Sequence, residues 1–128
     1  MNIQTPGIHH LALRVTDYER SKHFYLNTLG FKQILEKPGL CLFQAGNNAV
    51  AILGPTDETP ENDQFNSFRI GLDHLAIGCE NEKELKRVAE ALNRYEVENT
   101  GIKHDETLDK NYVAFKDPDR ISWEYYMV

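Results

Sequence analysis

The sequence predicts an α+β protein of two βαβββ modules. Three observations predict it. A short motif occurs twice, a helix-start signal with an amphipathic segment follows each copy, and three strand-like runs follow each helix.

The motif Gly7-Ile8-His9-His10-Leu11-Ala12-Leu13 lies over Gly71-Leu72-Asp73-His74-Leu75-Ala76-Ile77 at an offset of 64 (74 − 10). Gly, His, Leu and Ala coincide, and apart from His9/Asp73 the remaining positions exchange one apolar residue for another. After the first copy Asp17 is a natural N-cap, because its carboxylate can accept from the open N–H groups of a first turn. A helix is expected over 18–29, burying Ser21, Phe24, Tyr25 and Thr28, and Gly30 ends it by taking the left-handed conformation. After the second copy Asn81 and Glu84 have the spacing of a capping box. Leu85, Val88, Ala89 and Leu92 then recur at helical period, which predicts a helix over 82–95. Strands are expected over 31–36, 40–45 and 49–53 in the first half and over 97–103, 111–115 and 121–127 in the second. Pro38-Gly39, Gly46-Asn47-Asn48 and Asp117-Pro118-Asp119 separate them. From 54 to 66 the chain carries two prolines, several acids and little apolar content. The expected organisation is therefore a module over 1–54, a linker over 55–70 and a second module over 71–128.

Composition removes several function classes. Acids outnumber bases 20 to 14, giving a net charge of −6, and no basic cluster interleaves with aromatics, so nucleic acid is not an expected partner. No run approaches the roughly 20 apolar residues that a membrane-spanning helix needs. The amino terminus lacks the basic start and apolar core of a signal peptide, so the expected location is cytoplasmic. Cys41 and Cys79 stand far apart and outside any CxxC spacing, which argues against a disulfide scaffold and for two small buried apolar residues. Neither a Gly-rich phosphate loop nor a Ser-His-Asp order is present, and no general base stands out.

Strand alternation indicates which side chains share a face. Leu11, Leu13 and Val15 should pack under the first helix, leaving His10, Ala12 and Arg14 opposite. The second copy repeats this, with His74, Ala76 and Gly78 opposite Leu75, Ile77 and Cys79. In the last strand Ser122, Glu124 and Tyr126 share a face, opposite Ile121, Trp123 and Tyr125. Singly, a strand carboxylate or a core histidine is ordinarily structural. Three ligand-type residues at symmetric positions, all turned to one interior, make the case for a site. His9 has the wrong parity and pairs in the repeat with Asp73, so it falls outside. Arg14 is a weaker candidate for an anionic substrate and Tyr126 for a hydrogen bond to it. Surface exposure and core packing are their respective alternatives. His23 and His104 are expected to be solvated.

On His10-Leu11-Ala12-Leu13-Arg14-Val15-Thr16-Asp17, Ser21 with Phe24-Tyr25, Leu29-Gly30-Phe31, His74-Leu75-Ala76-Ile77 and Phe115-Lys116-Asp117-Pro118-Asp119 leading to Trp123-Glu124, the chain resembles the vicinal oxygen chelate superfamily. That superfamily groups glyoxalases, fosfomycin-resistance transferases, extradiol dioxygenases and bleomycin-resistance proteins. The resemblance implies a glyoxalase-like fold, a cupped mixed sheet with the helices outside, in which paired modules enclose one divalent metal ion, Fe, Mn, Ni or Zn. It makes His10, His74 and Glu124 the metal ligands, with Glu124, the acidic residue of the final strand, also the catalytic residue.

The chain also departs from the family pattern. Aligning Phe43 with Phe115 sets Ile52 opposite Glu124, where glyoxalases usually place a fourth acidic or amide ligand. An apolar Ile52 would line the substrate side and leave two histidines and one carboxylate, with metal positions open for a bidentate substrate. Arg120 stands where the family often has Gly. The implied function is a metal-dependent lyase, transferase or dioxygenase acting on a small oxygenated molecule. The alternative is a metal-free small-ligand-binding protein of the bleomycin-resistance type, and a third reading keeps the fold with a vestigial site. A homodimer is expected from the aromatic last strand (Trp123, Tyr125, Tyr126), with His10 facing His74 and Glu124 of the neighbouring chain.

Overall fold

A computed structural model describes residues 1–128. The chain divides into two compact units, Met1–Asp63 and Gln64–Val128, so the stretch expected as a linker is shared between them. Each unit holds a four-stranded mixed sheet. No helix is long and apolar enough to cross a membrane.

In the first unit β1 (His10–Arg14) is followed by α1 (Tyr18–His23), β2 (Lys32–Lys37), β3 (Leu40–Ala45) and β4 (Asn48–Leu53), in sheet order β1-β4-β3-β2. β1 runs parallel to β4 and the other pairs are antiparallel. Asp17 caps α1 as expected, accepting from the Arg20 N–H at 3.1 Å. The helix does not continue regularly to residue 29. From Phe24 to Thr28 it widens into a π-helical turn, in which Leu29 N–H donates to the Phe24 carbonyl. This turn buries Phe24 and Tyr25 side by side, their rings edge to face at 5.2 Å. Tyr25 is fully buried and stacks on Phe43 at 5.0 Å, whereas Thr28, expected inside, is only half-buried. Leu13, Val15, Cys41, Phe43, Val50 and Ile52 complete this core.

The second unit repeats the plan with β5 (Leu75–Cys79), α2 (Glu82–Arg94), β6 (Asn99–Asp105), β7 (Lys110–Lys116) and β8 (Ser122–Met127), in order β5-β8-β7-β6. Asn81 Oδ1 accepts from the Glu84 N–H at 2.9 Å, and Leu85, Ala89 and Leu92 bury the apolar stripe of α2. Burying each of the two leucines contributes about 2 kcal/mol. Beneath the helix Trp123 is buried and lies parallel to Phe115 at 6.4 Å. Strand limits differ from the sequence expectation by one or two residues at most ends. β6 differs most, starting at Asn99 because Val97 still closes the α2 terminus through its N–H to the Leu92 carbonyl.

Between β7 and β8 the buried Asp117 carboxylate accepts from the backbone N–H groups of Asp119 (2.9 Å) and Ile121 (2.8 Å). Arg120 adopts the left-handed conformation at φ 65° that glycine would take more easily. Its guanidinium is held by both Glu98 carboxylate oxygens at 2.7 and 3.2 Å. Cys41 and Cys79 are both buried free thiols.

Candidate metal centre

The sheet face away from the helix is here called the open face. In the second unit it carries His74, Ala76 and Gly78 from the β5 segment and Ser122, Glu124 and Tyr126 from β8, as alternation predicts. The register pairs Ala76 with Glu124 and Gly78 with Tyr126. His74 Nε2 lies 3.4 Å from Glu124 Oε2. Two donors each about 2.1 Å from one cation are separated by about 3.0 Å at a right angle and about 3.4 Å at a tetrahedral angle. The observed spacing fits a shared divalent ion. His74 Nδ1 is taken by the Asp73 carboxylate at 2.6 Å, so in the neutral imidazole, the form that binds a metal, the nitrogen facing Glu124 is the one left with a lone pair.

Other polar groups gather on the same face. Lys116 Nζ donates to Ser122 Oγ at 2.7 Å, which puts a positive charge across from the residue two positions before Glu124. The Tyr126 hydroxyl donates to Asp105 Oδ2 at 2.7 Å, and its ring stacks on Tyr112 at 5.6 Å. Burial and then the Asp105 carboxylate push the Tyr126 phenol up to about 12. It is therefore a hydrogen-bond donor at neutral pH and not a base.

In the first unit the open face carries His10, Ala12 and Arg14 from β1, and half-buried Leu40 and Leu42 from β3. His10 is exposed, and its Nδ1 lies 2.8 Å from Nδ1 of His9. A cavity of about 700 Å³ opens beside this pair, lined by Ile8, His9, Gln44 and Asn48 among others. Arg14, a candidate for an anionic substrate, donates from Nη1 to the Gly54 carbonyl at 2.6 Å and so ties the end of β1 to the end of β4. Within neither unit do three or more His, Cys, Asp or Glu side chains form a group that could hold a metal ion.

Ile52 is not where the sequence alignment put it. It pairs with Leu13 and Cys41, is fully buried and faces the helix side. In the second unit Glu124 pairs with Ala76 and Ala114. The corresponding pairings in the first unit, to Ala12 and Leu42, are made by Ala51. The cause is hairpin length. Four residues separate the paired Gln44 and Ala49, whereas five separate the paired Lys116 and Ser122. An alignment anchored on Phe43 and Phe115 is therefore off by one in the strand that follows, and one residue of slip exchanges the faces. The counterpart of Glu124 is still apolar, but it is an alanine.

Sequence reasoning also missed Asp73. A signal was available, since the repeat sets a hydrogen-bonding side chain directly before each histidine.

The family model described as the glyoxalase/bleomycin resistance protein/dioxygenase superfamily matches residues 7–125. The chain is 31% identical over 127 residues to the uncharacterized protein YwkD of Bacillus subtilis (strain 168), covering 94% of this chain and 95% of that protein. Among solved structures it resembles the glyoxylase/bleomycin resistance protein/dioxygenase domain from Frankia sp. EAN1pec (TM-score 0.82, 23% identity, 97% of this chain and 93% of that one). It also resembles a lactoylglutathione lyase from Agrobacterium tumefaciens (TM-score 0.76, 19% identity, 97% of this chain and 95% of that one). At these identities the two structures show a shared fold.

Proposed function

We propose, from the premise that this chain belongs to the glyoxalase/bleomycin resistance protein/dioxygenase superfamily, that it is a divalent-metal-dependent enzyme acting on a small oxygenated substrate. His10, His74 and Glu124 are its metal ligands, Glu124 is also the catalytic residue, and the substrate would chelate through its oxygens. The observation that carries this reading is the approach of His74 Nε2 to Glu124 Oε2 at 3.4 Å on an open face, with the other imidazole nitrogen already held.

When bound, the ion supplies Lewis acidity to substrate oxygens. The protein's own residues bind and orient. Lys116, held by Ser122, brings positive charge to an anionic or enolic group. Tyr126 keeps its proton and donates its hydrogen bond to Asp105, so it braces the open face and does not act as a base. Ala51 adds no donor in the place that mirrors Glu124. Two histidines and one carboxylate leave more of the ion open, which favours a substrate chelating through two oxygens. A glyoxalase-type proton transfer needs an extra basic carboxylate beside the reacting carbon. The reading therefore favours transferase or dioxygenase chemistry over a glyoxalase reaction.

The test is metal titration of untagged protein. Wild type is expected to bind one Mn(II), Zn(II) or Fe(II) per site, and His74→Ala to lose most of that affinity. Equal binding by the two would overturn the ligand assignment.

A homodimer is part of the proposal. Trp123 is core and Tyr125 is half-buried on the helix side, which leaves Tyr126, half-buried on the open face and stacked on Tyr112, as the aromatic of the last strand that can meet a second copy. Further support comes from the first unit's open face, where Leu40, Leu42 and Leu53 are only half-buried. Light scattering is expected to give about twice the 14.8 kDa chain mass. A monomer at micromolar concentration would remove the dimer.

A further inference from the structure

We propose that the residue directly before each candidate ligand histidine, Asp73 in the second unit and His9 in the first, is a positioning residue that holds the histidine's Nδ1 and presents its Nε2. The two units do this with unequal strength. The inference rests on His10 and His74 being the ligands proposed above.

Two contacts carry it. Asp73 Oδ1 lies 2.6 Å from His74 Nδ1, and His9 Nδ1 lies 2.8 Å from His10 Nδ1, with the two imidazole rings edge to face at 86°. The pairs are the same place in the repeat, because His9-His10 overlies Asp73-His74 at the 64-residue offset.

Alternation within a strand would send neighbouring side chains to opposite faces and forbid such contacts. Both pairs instead sit where regular strand begins, since β1 opens at His10 and β5 at Leu75. The backbone entering each pair bends through an equivalent glycine in the positive-φ region, Gly7 at 126° and Gly71 at 135°. The parity argument that excluded His9 therefore does not reach it.

A carboxylate can only accept, so the hydrogen between Asp73 and His74 sits on His74 Nδ1, and in the neutral ring the lone pair is on Nε2. That nitrogen is the one facing Glu124. In the first unit one hydrogen lies between two imidazole nitrogens. When His10 Nδ1–H donates to His9, the lone pair of His10 is likewise on Nε2, and His9 keeps its own hydrogen on Nε2. A hydrogen bond to a charged carboxylate is stronger than one to a neutral imidazole and holds the ring more firmly. His74 is thus the strongly supported ligand and His10 the weakly supported one.

The experiment uses the full chain, first without metal and then with Zn(II). Nitrogen-15 spectra of histidine-labelled, metal-free protein are expected to show His74 protonated on Nδ1 in wild type. In Asp73→Ala that hydrogen should move largely to Nε2, and Asp73→Asn, which keeps an acceptor oxygen, should restore it. Zn(II) affinity should fall about 10- to 100-fold in Asp73→Ala, the range seen when such outer partners of a ligand histidine are removed. Part of it should return in Asp73→Asn. His9→Ala should cost less, and His9→Asp should bind Zn(II) more tightly than wild type. An unchanged His74 tautomer in Asp73→Ala, or no gain in His9→Asp, overturns the inference. His74→Ala separates the two layers of argument. If it binds Zn(II) like wild type, the ligand assignment falls with everything built on it. If it loses binding while the Asp73 and His9 variants match wild type, only the positioning role falls.

Discussion

Ile52→Glu is expected to unfold the protein, and Ala51→Glu, one residue earlier, to leave it folded with tighter metal binding. Ile52 has no exposed surface and packs on the helix side with Leu13 and Cys41 as strand partners. A carboxylate there has no partner and no water. The cost of several kcal/mol for an unpaired buried charge, added to the lost apolar packing, approaches the total stability of about 5–15 kcal/mol of a small domain. Ala51 is covered as well, at 6% exposure, but it lies on the open face next to exposed Ala12. A longer side chain can leave that face toward solvent or toward a cation. Circular dichroism and metal titration of both variants decide it. A folded Ile52→Glu that gains metal affinity would reinstate the alignment on Phe43 and Phe115 and refute the register described here.

Asp117→Ala is expected to cost about 3–5 kcal/mol. Its carboxylate is 4% exposed and satisfies two backbone N–H groups of the turn before β8. Leaving buried donors unpaired costs about 1–3 kcal/mol each. For a chain of this size that corresponds to a fall in melting temperature of about 10–20 °C. Asp117→Asn keeps an acceptor oxygen and should recover more than half of the loss. The same turn sets the register of Glu124, so metal affinity should fall in Asp117→Ala even at temperatures where the variant is folded. A drop of less than 1 kcal/mol, or equal effects of Ala and Asn, would mean that the turn does not depend on this carboxylate.

The architecture was legible because it is written in periodicities. The repeated motif, the Asp17 and Asn81 caps and the alternation of β1, β5 and β8 all act within one element, and sequence shows those directly. What escaped depends on relations between elements or on irregular backbone. The π-helical turn after His23 carries no breaker residue, and it buries two adjacent aromatics, Phe24 and Tyr25, with Tyr25 stacked on Phe43 of the sheet. The identity of Ala51 depends on one extra residue in a hairpin, which is visible only once both registers are known. His74 and Glu124 were found by parity, and the structure brings them to 3.4 Å within one unit. Asp73 and His9 were missed because parity was applied to residues that precede the regular strands, which open at Leu75 and His10.

The outermost strands bear on the behaviour of the protein when it is concentrated. β2 is exposed along its whole length, with Ile34 at 51% and Leu35 at 43%, and an open row of peptide groups beside apolar side chains is a template for fibrous self-association. In β2 the ladder is interrupted by a register shift between Gln33 and Leu35, and Lys32 and Lys37 stand at its two ends. β6, its counterpart, breaks register between Asn99 and Ile102 around a positive-φ Gly101. A bulge twists the edge away from any flat incoming strand, and like-charged lysines repel one. The same irregularity, kept in both halves, works as a guard against amyloid-type stacking, and it costs nothing on the face where His74 and Glu124 meet.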